Sequence, residues 1–154
     1  SKGAALGNLG KYQEAIACYD QALKIRPDFV VTWSNKANAL NNLGRYEEAL
    51  ACCEMALMIN PNFELIWANK GVALGNLGKH QEAIACYDRA LEINPRYAEA
   101  WCNKGVALHN LGKYQEAIDA YRNFIKFAPH EDAGYVAGVK ETIRQLELYL
   151  KTKS

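Results

Sequence analysis

Between residues 63 and 78 the apolar and small positions Leu65, Trp67, Ala68, Gly71, Val72, Leu74, Gly75 and Leu77 recur at helical spacing and do not alternate, which predicts a helix with one apolar side. Gly78 stands where a left-handed residue ends such a helix. A second stripe of Ala83, Ile84, Tyr87, Ala90 and Leu91 predicts another helix over about 81–93. The Asn94-Pro95 step closes it, because a residue before proline is driven out of the α region.

This pair of helices recurs. GNLGKYQEA begins at Gly7, NNLGRYEEA at Asn41, GNLGKHQEA at Gly75 and HNLGKYQEA at His109, each 34 residues after the last. Pro27, Pro61, Pro95 and Pro129 keep the same period, as do Trp33, Trp67 and Trp101, and Ala15, Ala49, Ala83 and Ala117. A unit of this size cannot bury its own apolar face, so neighbouring units must stack to make a core. The period predicts Gly10, Gly44, Gly78 and Gly112 as the turns between the two helices of each unit. It also disposes of a nucleotide reading of GNLGK: a phosphate loop needs a glycine five places ahead of the Gly-Lys pair and Ser or Thr behind it, and Ala5 and Tyr12 stand there.

Trp101, Gly105, Gly112, Tyr114, Ala117, Tyr121 and Pro129 follow in order and spacing a pattern that resembles the tetratricopeptide repeat family, over about residues 1–131. The resemblance implies an all-α fold, a right-handed α-solenoid of stacked helix-turn-helix repeats. It divides the chain into a partial repeat at 1–29, full repeats at 30–63, 64–97 and 98–131, and a C-terminal capping helix with its tail at 132–154. Three features depart from the family. Lys36, Lys70 and Lys104 replace Leu, Cys53 replaces an aromatic, and Asn123-Phe124 replaces an Ala-Leu pair. The lysine stems can lie on apolar surface while their ammonium groups reach water. After residue 131 the period breaks, and Val136, Val139, Ile143, Leu146 and Leu150 make one stripe suited to a terminal helix with a polar outer face.

Composition narrows the function classes. The net charge is +1 with mixed signs, which argues against a strong field for nucleic acid or membrane. No apolar run approaches a membrane span and the start is not signal-like, so the chain reads as soluble and cytoplasmic. Ser1-Lys2-Gly3 aligns with Asn69-Lys70-Gly71, so the first repeat lacks its opening turn and its tryptophan. The expectation is a fragment of a longer array, with apolar surface at Gly3, Leu6, Ala15, Ile16 and Tyr19 that favours weak self-association through the N-terminal edge.

Candidate chemistry is sparse. Cys18, Cys52 and Cys86 are equivalent positions on helices that should pack 8–10 Å apart or so, beyond the ~7 Å reach of a disulfide, and they read as small buried groups. His80, His109 and His130 are scattered without ligand spacing, so neither metal nor cofactor is expected. No nucleophile is paired with a base. Glu48, Glu82 and Glu116 follow Arg45, Lys79 and Lys113 by three residues, the spacing of surface ion pairs. Each tryptophan precedes a small residue by one turn (Ala37, Gly71, Gly105), which reads as core packing and not as a ligand cage.

The resemblance further implies that the first helix of each repeat lines a concave groove. Its inward positions include Asn35 and Asn38 in one repeat, Asn69 and Val72 in the next, and Asn103, Val106 and His109 in the third. Asn35, Asn69 and Asn103 form an in-register ladder, and a primary amide offers both a donor and an acceptor to an extended peptide backbone. Asn42, Asn76 and Asn110 lie near helix ends, where they suit loose carbonyls. Family members that clamp an acidic C-terminus use basic residues in this groove, whereas Ser34, Glu99 and Asn103 occupy those places here, against an Hsp70- or Hsp90-type partner. The expected function is a scaffold without catalysis that binds an extended, largely uncharged peptide segment. Two alternatives stand beside it: polyanion or RNA binding through Lys36, Lys70 and Lys104 with Lys11, Arg45, Lys79 and Lys113, or a regulatory segment of a larger enzyme. The first lacks the interleaved aromatics that single strands stack on.

Overall fold

A computed structural model describes residues 2–153, with side chains from residue 9 onward. Among them the chain forms α1 (Lys2–Ile25), α2 (Val30–Asn42), α3 (Tyr46–Ile59), α4 (Glu64–Asn76), α5 (His80–Ile93), α6 (Ala98–Asn110), α7 (Tyr114–Phe127), a 3-10 turn (His130–Asp132) and α8 (Ala133–Lys153). Consecutive helices pack in turn, α2 also meets α4, and α4 also meets α6. The odd-numbered helices α1, α3, α5 and α7 make no comparable contact with one another. The result is an α-solenoid whose inner wall is α2, α4 and α6.

The turns are built as the glycines predict at three of four places. Gly44, Gly78 and Gly112 have φ of 77°, 83° and 78°. At the middle one the Lys79 N–H donates to the Leu74 carbonyl at 2.9 Å and the Gly78 N–H to that of Gly75 at 3.1 Å, the two bonds that close a helix through a left-handed residue. Gly10 departs from the expectation: α1 runs through it without a turn. Nearly the same nine residues therefore reverse the chain at 75–83 and continue as helix at 7–15. The turn is a tertiary property. At Gly78 the reversal lets α4 lay Trp67 and Gly71 against α5. Extending the helix instead adds a hydrogen bond per residue at no cost in chain closure.

A pair of substitutions separates the two environments. Gly10→Ala meets open space in a helix interior, and should raise stability by about 0.5–1 kcal/mol. Gly78→Ala, forced to a positive φ, should lower it by about 1–2 kcal/mol. Urea denaturation of both variants reads the difference, and equal destabilisation would mean that Gly10 is a turn after all.

The core lies between the two helix layers. Ala37, Ala49, Ala56, Ala73, Ala83, Ala90, Ala100 and Ala117 are fully buried, which lets the backbones approach closely. Of the apolar positions expected to be bare at the first repeat, Ile16 is buried in the cluster with Leu40, Cys52 and Cys53, and Tyr19 packs at its margin. Gly3 and Leu6 lie outside the residues whose side chains are described. At the other end Val139, Ile143 and Leu146 are buried, with Val136 and Leu150 packed beside them. α8 thus covers α7 with the predicted stripe.

Candidate functional site

A cavity of about 170 Å³ opens between α4 and α6 on the inner wall, lined by Val72, Gly75, Asn76, His80, Tyr87, Asn103, Val106, Ala107 and Asn110. Tyr87 reaches it from α5 because Gly71 has no side chain. A Cβ on Gly71 would stand 2.5 Å from the tyrosine Cε1, so the ring lies against α4 where any other residue would push it off. Burial drives the Tyr87 hydroxyl above the ordinary tyrosine range, which keeps it a neutral donor and acceptor near pH 7. The Asn103 side chain has no hydrogen-bond partner among the described residues. Asn76 is already used: its Nδ2 donates to the Val72 carbonyl at 2.8 Å.

The other candidate positions are distributed along the wall. Asn69 is only 7% exposed; its Nδ2 donates to the Ser34 carbonyl at 3.3 Å and Ser34 Oγ at 3.4 Å, and its own carbonyl accepts from Asn41 Nδ2 at 3.0 Å. It ties α2 to α4. Asn35 and Asn38 are exposed on α2. His109 stands edge-on to Tyr114, which in turn meets Tyr149 of α8, in a separate cleft. The fold therefore gathers Val72, Asn103 and Val106 in one cavity and leaves Asn35, Asn38, Asn69 and His109 outside it. Asn42, like Asn76, satisfies a carbonyl one turn back, that of Asn38 at 2.9 Å; Asn110 does not.

Asn103 also borders a larger cavity of about 720 Å³, which includes Glu99, Cys102, Phe124, Phe127, Asp132 and Tyr135. Sequence reasoning missed Tyr135, although it lies 34 residues after Trp101 and six after Pro129. It occupies the tryptophan place of a fifth, degenerate unit. Trp33, Trp67 and Trp101 each donate their indole N–H to the carbonyl of the proline six residues earlier, at 2.8 Å, and so pin each inter-repeat loop. Tyr135 instead shares a hydrogen bond with Cys102 Sγ at 3.3 Å and sits edge-on to Phe124. That contact closes the end of the inner wall.

The lysines that depart from the family are accommodated through their neighbours. Lys36, Lys70 and Lys104 each lie over the tryptophan three residues before them, at 5.8, 5.5 and 5.4 Å from the ring centroids. Lys36 pairs with Asp20 at 2.6 Å and Lys104 with Asp88 at 2.7 Å. Of the surface pairs expected along the second helices, Arg45 meets Glu48. Neither Lys79 nor Lys113 forms a salt bridge among the described residues.

The cysteines require one correction. Cys52, Cys53, Cys86 and Cys102 are buried and all five are free thiols, but Cys18 is exposed. Cys52 is buried in a cluster with Ile16 of the preceding unit and Leu40 of its own, and no helix folds back over Cys18 because α1 continues straight through Gly10. Among the described residues no group of three metal-ligating side chains converges, and no helix is long and apolar enough to cross a membrane.

Family models described as tetratricopeptide repeat match residues 1–29 and 30–63, and residues 69–132. No curated protein matches the chain in sequence. Among solved structures, a crystal structure of MamA protein superposes with a TM-score of 0.70 at 23% identity, covering 92% of this chain and 80% of that one. A second MamA crystal structure gives 0.71 at 21% identity, covering 94% and 91%. MamA from residue 41 to its end, from Desulfovibrio magneticus RS-1, gives 0.70 at 22% identity, covering 81% and 71%. These likenesses concern the fold.

Proposed function

The chain belongs to the tetratricopeptide repeat family of protein-interaction scaffolds, and on that premise we propose that it holds an extended, largely uncharged peptide segment along α2, α4 and α6. The cavity between α4 and α6 is the centre of that site. The observation that carries this reading is that Asn103, whose side chain has no hydrogen-bond partner among the described residues, lines one cavity with Tyr87, Val72 and Val106. The polar groups suit a peptide backbone, and the valines suit an apolar side chain between two of its amides. No step of catalysis enters this role.

The ladder of asparagines is uneven in this reading. Asn103 is available to a ligand, Asn35 is exposed, and Asn69 is engaged with Ser34. Asn103→Ala is therefore the informative change. It should weaken peptide binding by about 1 kcal/mol, roughly fivefold in Kd, with helical content unchanged. Isothermal titration of wild type and variant against one peptide ligand tests it, and equal affinities would remove the groove's centre from this place.

Polyanion binding has less to draw on. Two of the three in-register lysines are neutralised by aspartates of the preceding helix, which leaves a striped surface of small net field.

A further inference from the structure

The larger cavity has a different character from the smaller one beside it. Its aromatic walls are Tyr97, Phe124, Phe127 and Tyr135, and its carboxylates are Glu99 and Asp132. Neither carboxylate forms a salt bridge among the described residues; Glu99 accepts only a long hydrogen bond from the Tyr97 hydroxyl, at 3.5 Å. Arg96 is the one cation among the lining residues, and its guanidinium is already seated over the Phe127 ring at 5.4 Å. Lys126, just outside, lies 5.3 Å from the same ring. The corner thus holds two cations on an aromatic face, neither of them in a salt bridge with Glu99 or Asp132 among the described residues.

Glu99 is the negative focus. Tyr97 and Cys102 bind their protons more tightly than usual because of burial, and the Glu99 charge adds to this in both. Tyr135, raised first by its bond with Cys102 and then by burial, feels the same charge. A carboxylate whose field reaches three sides of a part-enclosed, aromatic-walled space favours a positive group there, through both charge and ring faces. An anion would meet the opposite conditions.

We propose that this cavity takes a cationic side chain, lysine or arginine, of the same segment whose apolar side chain lies between Val72 and Val106. This rests on the groove reading above and adds a charge and a spacing to it. The two cavities share Asn103, so one ligand passes from one to the other. Glu99 and Val106 are seven residues apart on α6, or about 10 Å at 1.5 Å per residue. A chain in the extended polyproline II form covers about that distance in three residues and returns the first and fourth side chains to the same side. The segment is therefore apolar, then two residues of any kind, then cationic, in one chain direction or the other.

The experiment uses short capped peptides with one leucine and, three residues away on either side, lysine, glutamine or glutamate. Anisotropy titrations with the whole chain should show the lysine peptide of one direction binding at least tenfold more tightly than its glutamine counterpart. That gain should vanish in Glu99→Gln, shrink in Asp132→Asn and fall with added salt. Both side chains are exposed, and circular dichroism checks that the variants fold as the parent does. If the glutamine peptide binds and Asn103→Ala weakens it, but lysine adds nothing, the groove stands and this inference falls. A preference for glutamate overturns it and assigns Arg96 as an anion hook. If none of the peptides binds, both readings fall together.

Discussion

Gly71→Val is expected to lower the stability of the chain by about 3 kcal/mol and to abolish peptide binding in the groove. The added Cβ would stand 2.5 Å from Tyr87 Cε1, 2.8 Å from Cζ and 2.9 Å from Cδ1, closer than van der Waals contact allows. Tyr87 is 4% exposed, so the ring must leave its place or α4 and α5 must part. Overpacking of this kind costs about 1–3 kcal/mol, less whatever helix propensity valine gains over glycine. Tyr87→Ala should cost about 3–5 kcal/mol by leaving a void. The decisive variant combines Tyr87→Ala with Gly71→Ala. With the ring gone the new Cβ meets nothing large, so the double variant should be more stable than the summed single effects by about 1–2 kcal/mol. Chemical denaturation of the wild type, Gly71→Ala, Tyr87→Ala and the double variant measures this. Strict additivity would mean that the glycine is not there to seat the tyrosine. Gly105 and Tyr121 repeat the arrangement one unit on, where the Cβ would stand 2.6 Å from the ring, and should show the same coupling.

The same contact explains why part of the proposed site was hidden in the sequence. Val72, Asn103 and Val106 were legible because they fall on the inner face of a helix whose register the 34-residue period sets. Tyr87 belongs to the second helix, where its spacing marks it as core; it is core, and it lines the cavity as well. Asn69 looks equivalent to Asn103 in the sequence, but its partner Ser34 is 35 residues away, beyond any local pattern. Gly10 shows the same limit for the fold. A positive φ at Gly44, Gly78 and Gly112 is a requirement that glycine announces, yet whether the chain turns at all depends on a helix with something to pack when it folds back. Tyr135 was legible by arithmetic from Trp101. The surrounding Gly134, Ala137 and Gly138 dilute the repeat so far that no run of matching residues survives around it.

The second large effect is expected at alkaline pH, where the buried thiol of Cys53 and the buried hydroxyl of Tyr121 should make stability fall steeply. Cys53 is fully buried; burial, and after it the neighbouring Cys52, pushes its thiol from 9.0 up to about 12. Tyr121, 4% exposed, is pushed by burial from 10.0 up to about 12, and Tyr87 is raised by burial as well. Both kinds of group are neutral when protonated, and both keep their protons longer in the folded chain. As pH climbs past about 9, the unfolded chain releases protons that the folded chain retains, so the unfolded state binds fewer and stability falls with pH. The window opens near the unfolded thiol value of about 9 and closes near about 12, and the curve is flat below it. Each tenfold difference in proton affinity between the folded and unfolded chain is worth about 1.4 kcal/mol, so Cys53 accounts for roughly 4 kcal/mol and Tyr121 for roughly 2–3 kcal/mol by the top of the window. A total near 6–7 kcal/mol matches the whole stability of many domains of this size, about 5–15 kcal/mol. Urea midpoints in reductant at about pH 8, 10 and 11 should fall steeply across the series. Cys53→Ala supplies the control: it should lower stability slightly at about pH 8 through a small void and flatten the slope above about pH 9, so that the two curves converge or cross. A midpoint at the top of the series equal to that at its start, or an unchanged slope in Cys53→Ala, would mean that the thiol ionises inside the folded chain and that the interior of the cluster around Ala49 and Ala56 admits water.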